Sequence, residues 1–337
     1  MTEVYRKRIE HPSAWKSSEI GGKEGLVYRL KPEHLDAIDE ALAKTRSLKP
    51  QEVRRRQFDH PAVNAFMTEV RDIIMKGRGV AILNGVTHDR YSEEDFERIY
   101  WGLGTHLGIG VVQSAWGDRL GHVRHEPNQT NVRAYRSTME LAPHTDQTEI
   151  VGLMCVRKAK EGGLSQLASS LAVHNEILAT RPDLLEPLYR GYPSYRRGEH
   201  QPGEPAITPY DVPIFCSVNG LVSCRYGNAQ RVAAEKLGVE LPKKFDEALT
   251  YFGQVATRPD IQCQFMIEPG EMALWNNFTT LHARAEFKDG EKPEEKRHLL
   301  RLWVEVANGR PAVPEMDTCV GKPLSKMGKL SEEVEAA

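Results

Sequence analysis

The triplet His144-Thr145-Asp146, inside "APHTDQTEI" (142–150), sets an imidazole and a carboxylate two residues apart. On an extended backbone, residues i and i+2 share a face and can close on one cation, whereas on a helix they diverge by about 200°. The chain carries a second triplet of the same type, His34-Leu35-Asp36, and local context separates the two. The second lies in "KPEHLDAIDEALAK" (31–44), where Leu35, Ile38 and Leu42 recur at helical spacing and Pro32 suits a first turn, so it reads as a solvated helix surface. His144 instead follows Pro143 and leads into "EIVGLMCV" (149–156), a run dense in β-formers, where both side chains can converge on an ion.

A third candidate ligand, His282, sits in "WNNFTTLHARAEFKDG" (275–290), at the end of a strand that follows a Pro-Gly turn. Two imidazoles and one carboxylate from distant strands make a facial triad, which suits iron(II) and leaves coordination positions open. Beyond it, "RHLLR" (297–301) reads as a strand with Arg297, Leu299 and Arg301 on one face and His298, Leu300, Leu302 and Val304 on the other. That pattern places an apolar back in the core and two arginines in a cavity. A buried guanidinium requires a partner, and a carboxylate supplies one in bidentate fashion.

Further cations and phenols come in pairs: Arg225 with Tyr226 in "LVSCRYGN", Arg133 with Tyr135 in "NVRAYRS", and His122 with Arg124 in "GDRLGHVRHEP". Each can serve structure alone. Gathered near a triad, they would favour a small anionic or zwitterionic substrate, such as an amino acid or another carboxylate.

The elements that must hold these residues divide the chain. Helices are expected at 31–44, at 59–77, and at 92–104, where Ser92 and Asp95 suggest a capping box; a buried strand, "GVAILNG" (79–85), lies between the last two. From 149 onward strands dominate. Asn219-Gly220 marks a hairpin within 213–226, Pro269-Gly270 divides 261–277, and 297–306 alternates again, with helices at 170–182 and near 242–256. Many strands without a regular βα rhythm predict a mainly β protein with α additions, a barrel or jelly roll. The expected organisation is a helical region at 1–78 packed on a core at 79–306, with a peripheral tail at 307–337, forming one domain.

Composition excludes several classes. A net charge of −2 and an isoelectric point near 6.7 offer no polyanion-binding signature, so neither nucleic acid nor a membrane surface is an expected partner. The five cysteines, at 155, 216, 224, 263 and 319, never form C-x-x-C, which argues against a disulfide framework or a thiolate zinc site and fits a reducing cytoplasm. The opening "MTEVYRKRIEHPSAW" has no apolar leader, and no apolar run reaches membrane-spanning length. A homo-oligomer is compatible with all of this.

The ordered combination of "HTD" (144–146), "EGGLSQLASSLAVHNEIL" (161–178), "EPGEMALWNNFTTLHAR" (268–284) and "RHLLRLW" (297–303) resembles the TauD/TfdA-like family of iron(II)/2-oxoglutarate-dependent dioxygenases, over roughly 80–306. The resemblance implies a double-stranded β-helix, or jelly-roll, core with a helical N-terminal region and insertions. It implies iron(II) on His144, Asp146 and His282, and 2-oxoglutarate with its distal carboxylate on Arg297. Arg301 would lie nearer the iron, by the C1 carboxylate or the substrate. Ser165 stands where the family often has a Thr that also touches the cosubstrate, and it keeps the hydroxyl. The implied reaction uses O2 to oxidise an unactivated C–H bond of a small molecule, with succinate and CO2 as coproducts. Halogenating members lack the carboxylate that Asp146 provides, so hydroxylation is the expected outcome, with desaturation or ring closure as variants. A zinc-dependent hydrolase on the same triad and a ligand-sensing jelly roll without turnover are the alternatives. The first would require an additional acid or base such as that of H-E-x-x-H, which is absent, and the Arg297/Ser165 pair disfavours both.

Overall fold

The computed structural model describes residues 3–113, 117–125, 137–197, 200 and 203–318. In chain order its strands are β1 Val27–Arg29, β2 Val80–Asn84, β3 Ile109–Gly110, β4 Leu120–Val123, β5 Leu141–His144, β6 Ile150–Arg157, β7 Glu161–Gly162, β8 Ser165–Ser169, β9 Tyr192–Tyr195, β10 Ile207–Val212, β11 Phe215–Val218, β12 Leu221–Cys224, β13 Gln262–Phe265, β14 Met272–Asn276, β15 Thr280–Arg284, β16 Phe287–Lys288 and β17 His298–Glu305. The helices are α1 Pro32–Thr45, α2 Pro61–Met75, α3 Glu93–Gly104, α4 Ser170–Thr180, α5 Leu185–Arg190, α6 Ala229–Leu237 and α7 Lys243–Ala256.

Two sheets form the jelly roll. The larger runs β1-β2-β14-β6-β17-β3, with β4 also paired to β17, and the smaller runs β13-β8-β15-β5. Pairing is antiparallel throughout both, apart from the parallel pair β1 and β2. Alternation along β17 sorts its side chains into two layers. Leu300, Leu302 and Val304 join Phe96, Ile99 and Leu103 of α3 in an outer core that also takes in α1 and α2. Leu299 and Trp303 point the other way, into a core shared with Leu167 and Phe265 of the smaller sheet. Arg301 lies between them in the strand and therefore faces the space between the sheets. The third core packs α4, α5 and α7 behind the smaller sheet. Gly104 permits the close approach of α3 to β17, since a Cβ there would lie 2.3 Å from Leu302 Cδ2.

Local signals in the sequence act as expected at most element ends. Ser92 Oγ accepts the Asp95 N–H at 3.1 Å while the Asp95 carboxylate accepts the Ser92 N–H at 3.2 Å, a reciprocal cap. Asn219 (φ 53°) and Gly220 (φ 77°) both take the left-handed conformation that a two-residue hairpin between β11 and β12 demands. Pro269-Gly270 carries the chain from β13 in the smaller sheet to β14 in the larger. At Gly270 φ is +88° and a Cβ would lie 1.9 Å from the Val86 carbonyl oxygen. Gly270→Ala is therefore expected to destabilise the fold by at least about 1–3 kcal/mol, read from the urea midpoint.

One expectation is corrected. His34 is only 8% exposed rather than solvated: its ring packs 4.7 Å from Phe66 on α2, and its Nδ1 accepts the Lys31 N–H that opens α1. Asp36 turns outward to Arg90, so the pair diverges as helix geometry requires. Before residue 78, α1 and α2 are accompanied by β1, which extends the larger sheet, and Trp15 and Ile20 enter the inner core. Beyond β17, Arg310 donates to the Val222 carbonyl and Ser223 Oγ to the Pro311 carbonyl. Cys155, Cys216, Cys224 and Cys263 are buried free thiols.

Candidate metal and cosubstrate site

The smaller sheet brings the triad together. β5 and β15 are neighbours in a register that sets His282 directly opposite His144, and the two rings lie 4.1 Å apart. Asp146 follows at the exit of β5. One ligand-type atom from each of the three residues falls within 4.8 Å of the others. Asp146 Oδ1 is 3.8 Å from His144 Nε2, and Oδ2 is 3.6 Å from His282 Nε2. The side chains remain 23%, 13% and 11% exposed for His144, Asp146 and His282, so the cluster is not wholly sealed from solvent.

Neighbouring groups hold this geometry. His144 Nδ1 lies 3.0 Å from the Ala142 carbonyl; donation there leaves the Nε2 lone pair directed at the cluster. Trp303 Nε1 donates to Asp146 Oδ2 at 2.9 Å, and Arg301 Nη1 stands 3.9 Å from the same oxygen while its Nε donates to Gln113 at 2.7 Å. The Asn277 amide clamps the Asp146 peptide from both sides, accepting its N–H at 3.1 Å and donating to its carbonyl. Burial pushes His282 down to about 3, with His144 adding to the effect, and burial lowers His144 as well. Burial alone would raise the Asp146 carboxyl, but His282, Arg301, His144 and the Trp303 N–H outweigh it and hold it below its ordinary value; Arg301 and Trp303 keep that influence at neutral pH. Two neutral imidazoles and a carboxylate are the donor set that iron(II) takes without first displacing a proton.

Arg297 lies just before β17, buried, with Nη1 lacking any hydrogen-bond partner. It lines a small cavity together with Ser165, Gly163, Cys155 and Leu299. Its pKa falls to about 10, chiefly through burial and then through Arg284, so it remains a cation at neutral pH. A buried, unsatisfied guanidinium beside a hydroxyl fits a carboxylate ligand.

The remaining candidates are placed differently. Arg225 is buried beneath the triplet, where it donates to the Asp146 and Thr148 carbonyls and lies 4.3 Å over Phe278. Tyr226 ties the same loop through its backbone, while its ring stacks on Phe252 and its hydroxyl donates to the Leu249 carbonyl. Both brace Asp146 from behind. His122 pairs across from Leu300, on the helix-covered face of the larger sheet, and hydrogen-bonds His298 at 2.9 Å. It is thus on the opposite face from the triad, because β4 joins β17 in a register the sequence does not reveal. Arg133 and Tyr135 lie outside the described residues. Sequence reasoning missed Trp303, Asn277 and Gln113. Trp303 could have been found, since it lies two residues beyond Arg301 on the same face of the strand.

The model of the family described as "Taurine catabolism dioxygenase TauD, TfdA family" matches residues 44–303. FR-33289 synthase of Streptomyces rubellomurinus (strain ATCC 31215) is 30% identical over 328 residues, covering 94% of this chain and 96% of the relative. Taurine hydroxylase-like protein SAT17 of Stachybotrys chartarum (strain CBS 109288 / IBT 7711) is 26% identical over 313 residues, covering 88% and 79%. Among solved structures, asparagine oxygenase in complex with Fe(II), 2S,3S-3-hydroxyasparagine and succinate superposes with a TM-score of 0.64 at 16% identity, covering 83% of this chain and 93% of its own. The non-heme iron oxygenase OrfP with Fe and alpha-ketoglutaric acid gives 0.63 at 12% identity, with the same coverages. These two likenesses establish the shared fold.

Proposed function

Because this chain belongs to the TauD, TfdA family and is an iron(II)- and 2-oxoglutarate-dependent oxygenase, we propose that it hydroxylates an unactivated C–H bond of a small carboxylate-bearing or amino-acid-like metabolite. Family membership sets aside the zinc hydrolase and the sensor without turnover. His144, Asp146 and His282 would hold the iron, and Arg297 with Ser165 would take the distal carboxylate of 2-oxoglutarate. The metal and cosubstrate together with O2 supply the oxidising power, with succinate and CO2 released. The protein's own part is orientation. Trp303 and Asn277 would keep Asp146 in one rotamer, and Arg301 would draw a carboxylate towards the open side of the cluster.

The observation that carries this reading is the buried Arg297 with its unpartnered Nη1, at the cavity it shares with Ser165. The substrate class is supported by the Arg301 guanidinium beside the cluster, and by structural relatives described in complex with hydroxyasparagine and with (3S)-hydroxy-L-Arg. The test is a panel of L-amino acids, small carboxylic acids and their amine or alcohol counterparts without a carboxylate, assayed with iron(II) and 2-oxoglutarate in chloride buffer. At least one member should stimulate succinate release and yield a product one oxygen atom heavier. Stimulation confined to compounds without a carboxylate would refute the substrate class. A chlorinated product would remove Asp146 from the iron.

A further inference from the structure

Arg284 lies two residues beyond His282 on β15, so its side chain leaves the same face of the strand. On one side its backbone pairs with Ser165 and on the other with Leu141, where β5 begins. It is only 5% exposed. Its Nη2 donates to the Ser137 carbonyl at 2.7 Å and to the Met139 carbonyl, while its Nε is buried without a partner. One residue further into that segment, the Thr138 carbonyl accepts the Phe287 N–H at 3.1 Å. Arg284 thus pins the stretch through which the chain enters β5 and reaches His144.

The same guanidinium faces a second one. Arg284 and Arg297 both stand over the Phe287 ring, at 4.7 Å and 5.2 Å from its centroid. Among the described residues neither has a carboxylate within ion-pair distance. Two buried cations on one ring, each with an unsatisfied nitrogen, oppose each other until an anion arrives. On the reading that Arg297 takes the distal carboxylate of 2-oxoglutarate, that anion is the cosubstrate.

We infer that Arg284 is a positioning residue that couples 2-oxoglutarate in the Arg297 cavity to the docking of residues 137–139. Bound carboxylate neutralises the pair, lowers the cost of keeping Arg284 buried and tightens its hold on the Ser137 and Met139 carbonyls. By reciprocity, a docked segment strengthens cosubstrate binding. The entrance to β5, and with it the His144 side of the centre, becomes ordered when the cosubstrate is in place.

The Phe287 amide reports this directly, since the Thr138 carbonyl shields it only while the segment is docked. In iron(II)-loaded protein under argon, 2-oxoglutarate should slow hydrogen exchange in the peptide containing Phe287 by about 5-fold or more. In Arg284→Met that slowing should vanish, and calorimetry should show cosubstrate affinity lowered about 5- to 10-fold. Arg284→Lys keeps the charge but cannot span two carbonyls, so it should lose the protection and, by reciprocity, the coupled part of the affinity, keeping only the share owed to its charge. It also carries the test if the Met variant does not fold. Wild-type exchange indifferent to 2-oxoglutarate, or protection in Arg284→Met or Arg284→Lys equal to wild type, would overturn the inference. Arg297→Gln separates it from the reading beneath: unchanged cosubstrate affinity in that variant defeats the cavity assignment itself. Loss of affinity there, with wild-type behaviour in Arg284→Met, defeats only the coupling.

Discussion

His282→Ala should give a folded protein that no longer retains iron(II) and shows no turnover above background. The imidazole lies between Trp275, 4.9 Å away, and His144, 4.1 Å away, and its removal leaves the backbone pairing of β15 with β5 and β8 intact. Losing a partner of a metal ligand typically costs about 10- to 100-fold in metal affinity, so losing one of three ligands should exceed about 100-fold. Iron content after gel filtration measures it, and circular dichroism checks the fold. His34→Ala supplies the control. It removes the acceptor of the Lys31 N–H and a contact with Phe66, so it should cost about 1 kcal/mol of stability with no change in iron content. Wild-type iron content in His282→Ala would refute the triad.

Arg297→Ala should weaken 2-oxoglutarate binding by about 2–5 kcal/mol, roughly 30- to 4000-fold. Its effect on the protein without cosubstrate should have the opposite sign. The free protein keeps a buried guanidinium with an unsatisfied Nη1 and Arg284 nearby, so truncation removes an unfavourable group along with its packing. The melting temperature without cosubstrate should therefore hold or rise, while the increase that 2-oxoglutarate confers on the wild type should disappear. A variant equally destabilised with and without 2-oxoglutarate would mark Arg297 as structural only.

The features legible from sequence were those with a local period. The two faces of β17 followed from alternation alone, and the strand context of His144 separated it from the helical His34. The groups that hold the site obey no local period. The Trp303 bond to Asp146 spans 157 residues, the Asn277 bond 131 and the Gln113 bond to Arg301 188, so each depends on sheet register. Register likewise decided His122, whose neighbours in sequence cannot tell which face of the larger sheet it joins. Arg225 and Tyr226, substrate candidates by residue type alone, tie the triplet loop from behind through contacts that their sequence neighbours do not reveal.

The direct pairing of His144 with His282 has a consequence for biosynthesis. β5 is an edge strand whose partner in the smaller sheet is β15, so His144 and Asp146, two of the three proposed ligands, leave the ribosome long before the strand that must receive them. At typical elongation rates His282 follows His144 by roughly 7 to 28 seconds. Through that interval the nascent chain would offer a metal only the bidentate fragment of His144 and Asp146, which would hold divalent ions weakly. With the proposed ligand set, capture would wait until β15 has emerged, and the choice of metal would fall to the nearly finished protein.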